Sequence, residues 1–279
     1  MHITILGHVC IDHNISEHVT YTSAGSPALF ITKIYQQFPG VTTQTIAPYG
    51  PDFTKYVKHT LIYPHKPTRK KTLIYQNISH NTVRTQKAIN REYAQAVPIS
   101  EKMKSLISSS DVIFFAPLTP IYSANYIKQI MKCSRKKSLK ILLPQGYFRL
   151  FDSKNRVIQR EFTEAREILP LFDFVIVSDQ DHTSMNEYVK NWTSHTQVIV
   201  TRGDKGAYYH YKNKTISIPT VPVLVADIVD SVGSGDIFSA SFGYQYFKTK
   251  NIKKSLQFAN SIARQCLFYK ADSLKITLV

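Results

Sequence analysis

Cysteine is scarce in this chain, and so is acid. Cys10, Cys133 and Cys266 are the only cysteines in 279 residues, too few and too widely spaced for a disulfide framework, and their apolar or helical contexts suit buried reduced thiols. The ten histidines form no H-E-x-x-H and no Cys/His pairing, which argues against a structural zinc site. No apolar run approaches the length of a membrane span. The first residues enter a strand-like run without a basic segment or cleavage site, so a cytoplasmic protein is expected. The P-loop pattern G-x-x-x-x-G-K-[ST] is missing, so phosphate would have to be held by another design. Internal repeats, low-complexity tracts and long linkers are missing too, and a chain of this length with 43% hydrophobic residues can bury a large core.

Against 19 acidic residues stand 35 lysines and arginines, a formal net charge of +16. Such an excess raises the question of a polyanion partner. The basic residues fall in short clusters, 66–71, 132–140 and 248–254, at turns and helix ends where solvated charge is ordinary. No nucleic-acid reader motif accompanies them, so nucleic acid is not the expected partner, and help in attracting an anionic nucleotide is the milder role.

Short apolar runs recur with helical segments between them: ITILG, TIAPYG, VIFFAP, KILLPQ, FVIVSD and VIVTRG. That alternation predicts an α/β fold with a parallel sheet covered by helices. Ligands of such sheets bind beyond the carboxyl ends of the strands, where Asp12, Gln145, Ser178 and Thr201 follow four of the runs. Residues 59–96 differ, being rich in Tyr, Thr, Lys and Asn, with an alternation in KTLIYQNIS that suits exposed strands. They read as a small β lid.

Residues 230–238, DSVGSGDIF, carry the chemistry. Gly233, Ser234 and Gly235 let the backbone turn and bring its N–H groups to an anion. The following IFSASFGYQYF reads as a helix, which sets those donors at a helix N-terminus. A carboxylate beside a phosphate site is repelled by it, so Asp236 is best explained by accepting the proton of an attacking hydroxyl. The plain alternative is a glycine-rich loop with Asp236 as a first-turn helix residue.

This run resembles the C-terminal signature of the ribokinase-like (PfkB) carbohydrate kinases, D-T-x-G-A-G-D-x-F. The resemblance extends in order through ITILGHVCID, AGSPALFITKIYQQFPG, VIVTRGDKGAYYH and LQFANSIARQC. LLPQGYFR and YQNISHNTVRTQ look most like the inositol and nucleoside kinase branch. It implies a ribokinase-like fold, a central mostly parallel sheet flanked by helices with a small β lid. The whole of 1–279 would be a single kinase domain, with lid segments at about 12–23 and 59–96.

The implied activity is ATP-dependent phosphorylation of a hydroxyl on a small sugar or polyol, with Asp236 as catalytic base and Gly233, Ser234 and Gly235 as anion hole. ADP and pyrophosphate stay open as donors. Asp12, Gly25, Gln145 and Arg149 fall where substrate is bound, although Arg149 also suits a structural ion pair. Thr201, Gly203, Gly206 and Asn260 fall on the nucleotide side. Asp181 in SDQD stands at the family's N-x-x-E position and implies indirect Mg2+ binding, with a helix N-cap at Ser178 as the alternative. Leu29 and Phe30 replace the family's usual asparagine region with an apolar or aromatic pocket wall. Asn77 and Arg84 are further candidates on the lid, which also offers a face for a homodimer. Two other readings remain: a nucleoside kinase, if Phe30 and the lid tyrosines stack on a base, and a catalytically silent ligand-binding or regulatory homologue.

Overall fold

The structure is a computed structural model that describes residues 1–15, 20–59, 61–80, 83–269 and 276. Nine strands form the main sheet, in the order Lys214–Ile218, Ala207–Tyr211, Gln197–Thr201, Phe174–Ser178, Leu139–Leu142, Val112–Ala116, His2–Gly7, Thr42–Ile46 and Ile62–Tyr63. From Gln197–Thr201 onward every neighbour is parallel, and the first two strands are an antiparallel hairpin at one edge. The six apolar runs are thus six parallel strands of one sheet.

Helices cover both faces, which is why these strands read as continuous apolar runs. Side chains alternate across the sheet. Val112, Phe114 and Ala116 join the core under the helices Pro27–Tyr35, Ser234–Thr249 and Ile252–Cys266, while Ile113 and Phe115 join the core on the other side with Met103, Ile127 and Ile130.

A second sheet of four strands, Thr20–Gly25, Cys10–Ile15, Leu73–His80 and Val83–Ile89, stands apart from the main one. Cys10–Ile15 pairs antiparallel with Thr20–Gly25 and parallel with Leu73–His80. Leu73, Tyr75 and Asn77 are buried while Ile74, Gln76 and Ile78 are half-buried, so one face of this sheet is turned inward. Its boundaries differ from those read in the sequence. Within 59–96, Ile62–Tyr63 extends the edge of the main sheet, and the small sheet begins only at Leu73. The two-residue strand is too short for periodicity to assign it. The first segment begins at Cys10, and residues 16–19 of it, like 60 and 81–82 of the second, lie outside those described. A hairpin of Arg149–Phe151 and Val157–Gln159 also packs beside the small sheet, with Ala88 N–H donating to Asn155 O at 2.9 Å.

Candidate functional site

A cleft of about 710 Å3 lies between the carboxyl ends of the parallel strands, the start of the helix Ser234–Thr249 and the inner face of the small sheet. Asp12, Gln145, Arg149, Asp181, Thr201, Gly203, Gly206, Gly233, Ser234, Gly235, Asp236 and Asn260 all line it. Gly25 is buried directly behind Asp12. Residues far apart in the chain therefore meet in one place, of a size ordinary for a small-molecule site.

The helix start is set by Gly233, the N-cap, whose φ is 80°. A side chain there would be strained by its backbone, and its Cβ would lie 2.6 Å from the Phe30 ring. Ser234 N–H turns back to Ser231 O at 3.2 Å, whereas the N–H groups of Gly235 and Asp236 fall in the first turn, where a helix has no partner to offer. Gly235 has open space around its Cα.

Three carboxylates, Asp12, Asp181 and Asp236, line the cleft, and Asp236 feels the charge of the other two. Burial, followed by the Asp181 carboxylate, pushes Asp236 up to about 7; the Arg149 guanidinium opposes this and Asp12 adds to it. Asp181 is raised as well, chiefly by burial, against hydrogen bonding from Ser178 N–H, the charge of Arg149 and a bond with the Gln145 side chain. Its Oδ2 accepts from Ser178 N–H at 2.8 Å. Ser178 ends its strand in a tight turn and the next helix starts only at Met185, so Ser178 does not cap a helix. Asp12 rests against Gly25 so closely that any Cβ at residue 25 would overlap its carboxylate. Cys10 Sγ lies 3.4 Å from Asp12 Oδ1, and burial with the Asp12 charge holds this thiol well above its ordinary range, so it stays protonated.

Among the described residues that line the cleft, Arg149 is the strongly buried cation, at 8% exposure. Its guanidinium lies 4.7 Å over the Tyr75 ring and donates to Leu118 O at 3.3 Å. Tyr75 OH donates to the same carbonyl at 2.6 Å. Among the described residues Arg149 has no carboxylate within 4.0 Å, so the structural ion pair is not found. Behind Leu118, its N–H donates to His8 Nδ1 at 3.0 Å, and His8 Nε2 meets Ala94 O at 2.9 Å. Burial lowers His8 to about 4, so it is a neutral brace.

On the other side of the helix start, Gly203 and Gly206 take φ of 52° and 84° in the turn after Thr201, closed by Arg202 N–H to Gly206 O at 2.8 Å. Asn260 lines the cleft, yet its Nδ2 donates to Ile218 O at 3.0 Å and Pro219 O at 3.3 Å. Its amide nitrogen braces this wall rather than standing free for a base. Val221, Pro222 and Val223 form an apolar ledge beyond it. Leu29 is buried in the core beside Tyr49 and Phe53, whereas Phe30 reaches the cleft wall. The Arg84 side chain lies outside those described. Leu118, His8 and Gln86 escaped the sequence reading, which met Tyr75 only among the lid tyrosines; Tyr75 and Gln86 had a signal, the alternation of their strands. Among the described residues no three His, Cys, Asp or Glu side chains gather as a metal cage, and no helix is long and apolar enough to cross a membrane.

Comparison with known proteins agrees with this architecture. A segment of 67 residues is 36% identical to the ribokinase of Bacillus subtilis (strain 168), spanning 24% of this chain and 22% of that protein. A pyrophosphate-dependent kinase in the ribokinase family, complexed with a pyrophosphate analogue and myo-inositol, superposes with a TM-score of 0.74 at 16% identity, over 94% of this chain and 93% of its own. Arabidopsis thaliana ribokinase complexed with ribose and ATP gives 0.69 at 15% identity, over 96% and 93%. At such identities these two establish the fold. The family model for pfkB family carbohydrate kinases matches residues 56–276, and the chain belongs to that family.

Proposed function

We propose that this protein is a phosphotransferase that moves the γ-phosphoryl group of ATP to a hydroxyl of a small sugar, polyol or nucleoside. The observation that carries the reading is Asp236, a carboxylate raised to about 7 one residue past the open helix start at Gly235. A base poised near neutral pH beside unpaired N–H donors suits attack by a hydroxyl on a phosphoryl group. Asp12 accepts hydrogen bonds from neighbouring acceptor hydroxyls and holds the reacting one toward Asp236. The hydroxyl proton passes to an Asp236 carboxylate oxygen as the O–P bond forms and the bond from the γ-phosphorus to the departing ADP oxygen breaks. Gly235 and Asp236 N–H groups hold the transferred oxygens during the step, and the small sheet, acting as a lid of a single kinase domain, excludes water.

ATP is favoured over pyrophosphate because the cleft continues past the helix start to Val221, Pro222 and Val223, an apolar ledge that an inorganic donor has no need of. The surplus of carboxylates over Arg149 fits a divalent cation that arrives with the donor. Asp181 would meet Mg2+ through water, and the ion would supply neutralisation of phosphate charge.

The test is a 31P NMR assay with ATP or pyrophosphate across sugars, inositols and nucleosides. Transfer from ATP that disappears in Asp236→Asn is the expected result. Binding of acceptor and ATP with no transfer from either donor would overturn the reading in favour of a silent homologue.

A further inference from the structure

A second groove, of about 670 Å3, lies between the helix Met185–Trp192 and the hairpin of Ala207–Tyr211 and Lys214–Ile218, and it shares no lining residue with the cleft. It is on the opposite face of the main sheet from the helix Ser234–Thr249: Val189 and Tyr208 pack in one core with Val198 and Val200, whereas Ile237 and Phe238 pack in the other. The helix contributes Asn186, Val189, Lys190 and Thr193, the i, i+3, i+4, i+7 spacing of a single helical face. Opposite stand Arg202, just past the end of Gln197–Thr201, and His210, beside Thr215 in the hairpin register. Lys212, in the hairpin turn, ties the two sides together through its N–H, which donates to Thr193 O at 3.3 Å.

Arg202, Lys190 and Lys212 give the groove three positive charges, and no carboxylate is among the described residues that line it. None of the three has a carboxylate within 4.0 Å among the described residues. The Arg202 guanidinium meets uncharged partners instead, lying 4.5 Å from the Tyr208 ring and donating from Nη2 to Asn186 Oδ1 at 3.1 Å. Two nitrogens are left over: Arg202 Nε and His210 Nε2 are shut off from solvent without a hydrogen-bond partner. His210 Nδ1 meets Thr215 Oγ1 at 3.2 Å. When that hydroxyl donates, Nε2 carries the ring hydrogen and is a donor without an acceptor. Burial, then the charge of Arg202, holds His210 below its ordinary value, so the ring is neutral at pH 7.

Buried donors are seldom left unpaired, because each forfeits its bond to water. A water molecule would satisfy the two nitrogens but leave three cations uncompensated in one concavity, which concentrates their field. A phosphate group answers both needs, with oxygen acceptors for Arg202 and His210 and negative charge for the lysines. We propose that this groove is a second binding site, separate from the cleft, for the phosphate group of a small molecule. The half-buried Arg202 and His210 hold its oxygens, and the exposed Lys190 and Lys212 neutralise it from the rim. A compact phosphate fits better than an extended strand, which is met by exposed charge along its length. One segment serves both sites, since Arg202 N–H closes the turn whose Gly203 and Gly206 line the cleft while its side chain lines the groove.

The test follows the Arg202 Nε–H signal of the full chain by NMR at constant ionic strength while inorganic phosphate, ribose 5-phosphate or chloride is added. Both phosphates are expected to shift it saturably, with half-saturation at or below about 1 mM, and chloride to leave it in place. Either order of the two phosphates supports the site: tighter ribose 5-phosphate assigns it to a phosphorylated sugar, and tighter or equal inorganic phosphate to the free ion. Lys190→Gln combined with Lys212→Asn removes both rim charges, and asparagine tolerates the left-handed backbone at residue 212, where φ is 50°. This variant should raise the half-saturating concentration about tenfold, with thermal unfolding as the fold control. Lys190→Gln alone, at an exposed helix position, should raise it about threefold and decides the matter if the double variant does not fold. The proposal is overturned if no saturable shift appears by about 10 mM phosphate, or if chloride reproduces the shift. It is equally overturned if the variants leave the shift unchanged, as phosphate held in the cleft and felt through the shared turn would do. A short single-stranded oligonucleotide that saturates the signal at a concentration about tenfold below either phosphate would overturn it in favour of a nucleic-acid surface.

Discussion

The two walls of the cleft are built by different means. On the fixed wall, a turn of backbone does the positioning: Gly233 at φ 80° against Phe30, then Gly235 and Asp236 at the opening of a helix. On the covering wall, side chains are placed by strand pairing, with Asp12, Tyr75 and Ala88 in one cross-strand row and Asn14, Asn77 and Gln86 in the next. A wall made of backbone has few substitutes, because its donors are peptide N–H groups that any residue carries only in that one conformation. A wall made of side chains can be altered one amide at a time. On the proposed kinase reading, the fixed wall accordingly suits the chemical step, and the covering wall suits the choice of acceptor.

The largest effect that separates the walls is expected at Asp236. Asp236→Asn should lower kcat by about 10²–10⁴-fold while leaving the KM for ATP within about threefold, since it removes a base but keeps the shape. The wild-type rate should rise with pH through about 7 as Asp236 loses its proton. The linkage to stability has the opposite sense. A carboxylate raised from 3.8 to about 7 binds its proton more tightly in the folded state, so its contribution is fully present below the unfolded value and is lost as pH rises through the folded one. Asp236→Asn should therefore stabilise the fold at pH 8, by about 2 kcal/mol after discounting for the partial solvent contact of this half-buried residue, and much less at pH 4. Urea unfolding at the two pH values checks the sign, and equal differences at both would show that Asp236 is an ordinary surface carboxylate.

Next in size are the two glycines of the fixed wall, which should fail in different ways. Gly233→Ala forces a Cβ into left-handed backbone and onto the Phe30 ring, a loss of about 2 kcal/mol or more by denaturant titration. Gly235→Ala meets nothing within 4 Å, so stability should hold or rise by up to about 1 kcal/mol while the KM for ATP rises about tenfold as the methyl enters the phosphate space. If both variants lose only stability, the helix start has no ligand to approach.

The unequal legibility of the walls follows from the same contrast. Residues 230–238 are contiguous, so the turn, the helix start and the position of Asp236 could be read together, as could six parallel strands whose burial on both faces leaves an apolar run for each. The covering wall depends on the pairing of Cys10–Ile15 with the distant strand Leu73–His80 as well as on local hairpins, and register is decided by packing that no local pattern records. Thus KTLIYQNIS disclosed a strand without disclosing that Asn77 meets Asn14 and Gln86. Arg149 stood out by position, but its stack on Tyr75 and its bond to Leu118 O join three distant segments. The family resemblance puts Asn260 on the nucleotide side, and only the chain's return at Ile218 and Pro219 shows where its Nδ2 goes.

Arg149 belongs to both walls, and a moderate effect is expected from its removal. Its charge lowers Asp236, so Arg149→Met should move the acid limb of the kcat/KM profile to higher pH, leaving less active base at pH 7. The same variant frees the Tyr75 ring face. If a nucleoside were the natural acceptor, Arg149→Met would improve its KM by opening a stacking surface; on the polyol reading the acceptor KM rises instead. The pH limb and the direction of the KM change are thus separate readouts of the two walls.

The smallest effect is expected at Asp181, whose carboxylate touches the fixed wall only through charge. Because Asp181 raises Asp236, Asp181→Asn should shift the acid limb to lower pH. The shift is limited because Asp181 is itself raised and shares the same crowded charge. If Asp181 also meets magnesium through water, the half-saturating magnesium concentration should rise, by less than about tenfold for one indirect ligand. The two readouts are independent. A shifted limb with an unchanged magnesium titration leaves Asp181 as a neighbour that tunes the base, and a changed titration with a fixed limb assigns it to the ion alone. If neither moves, Asp181 contributes only its hydrogen bonds with Ser178 N–H and the Gln145 side chain, which hold a tight turn at the end of a strand.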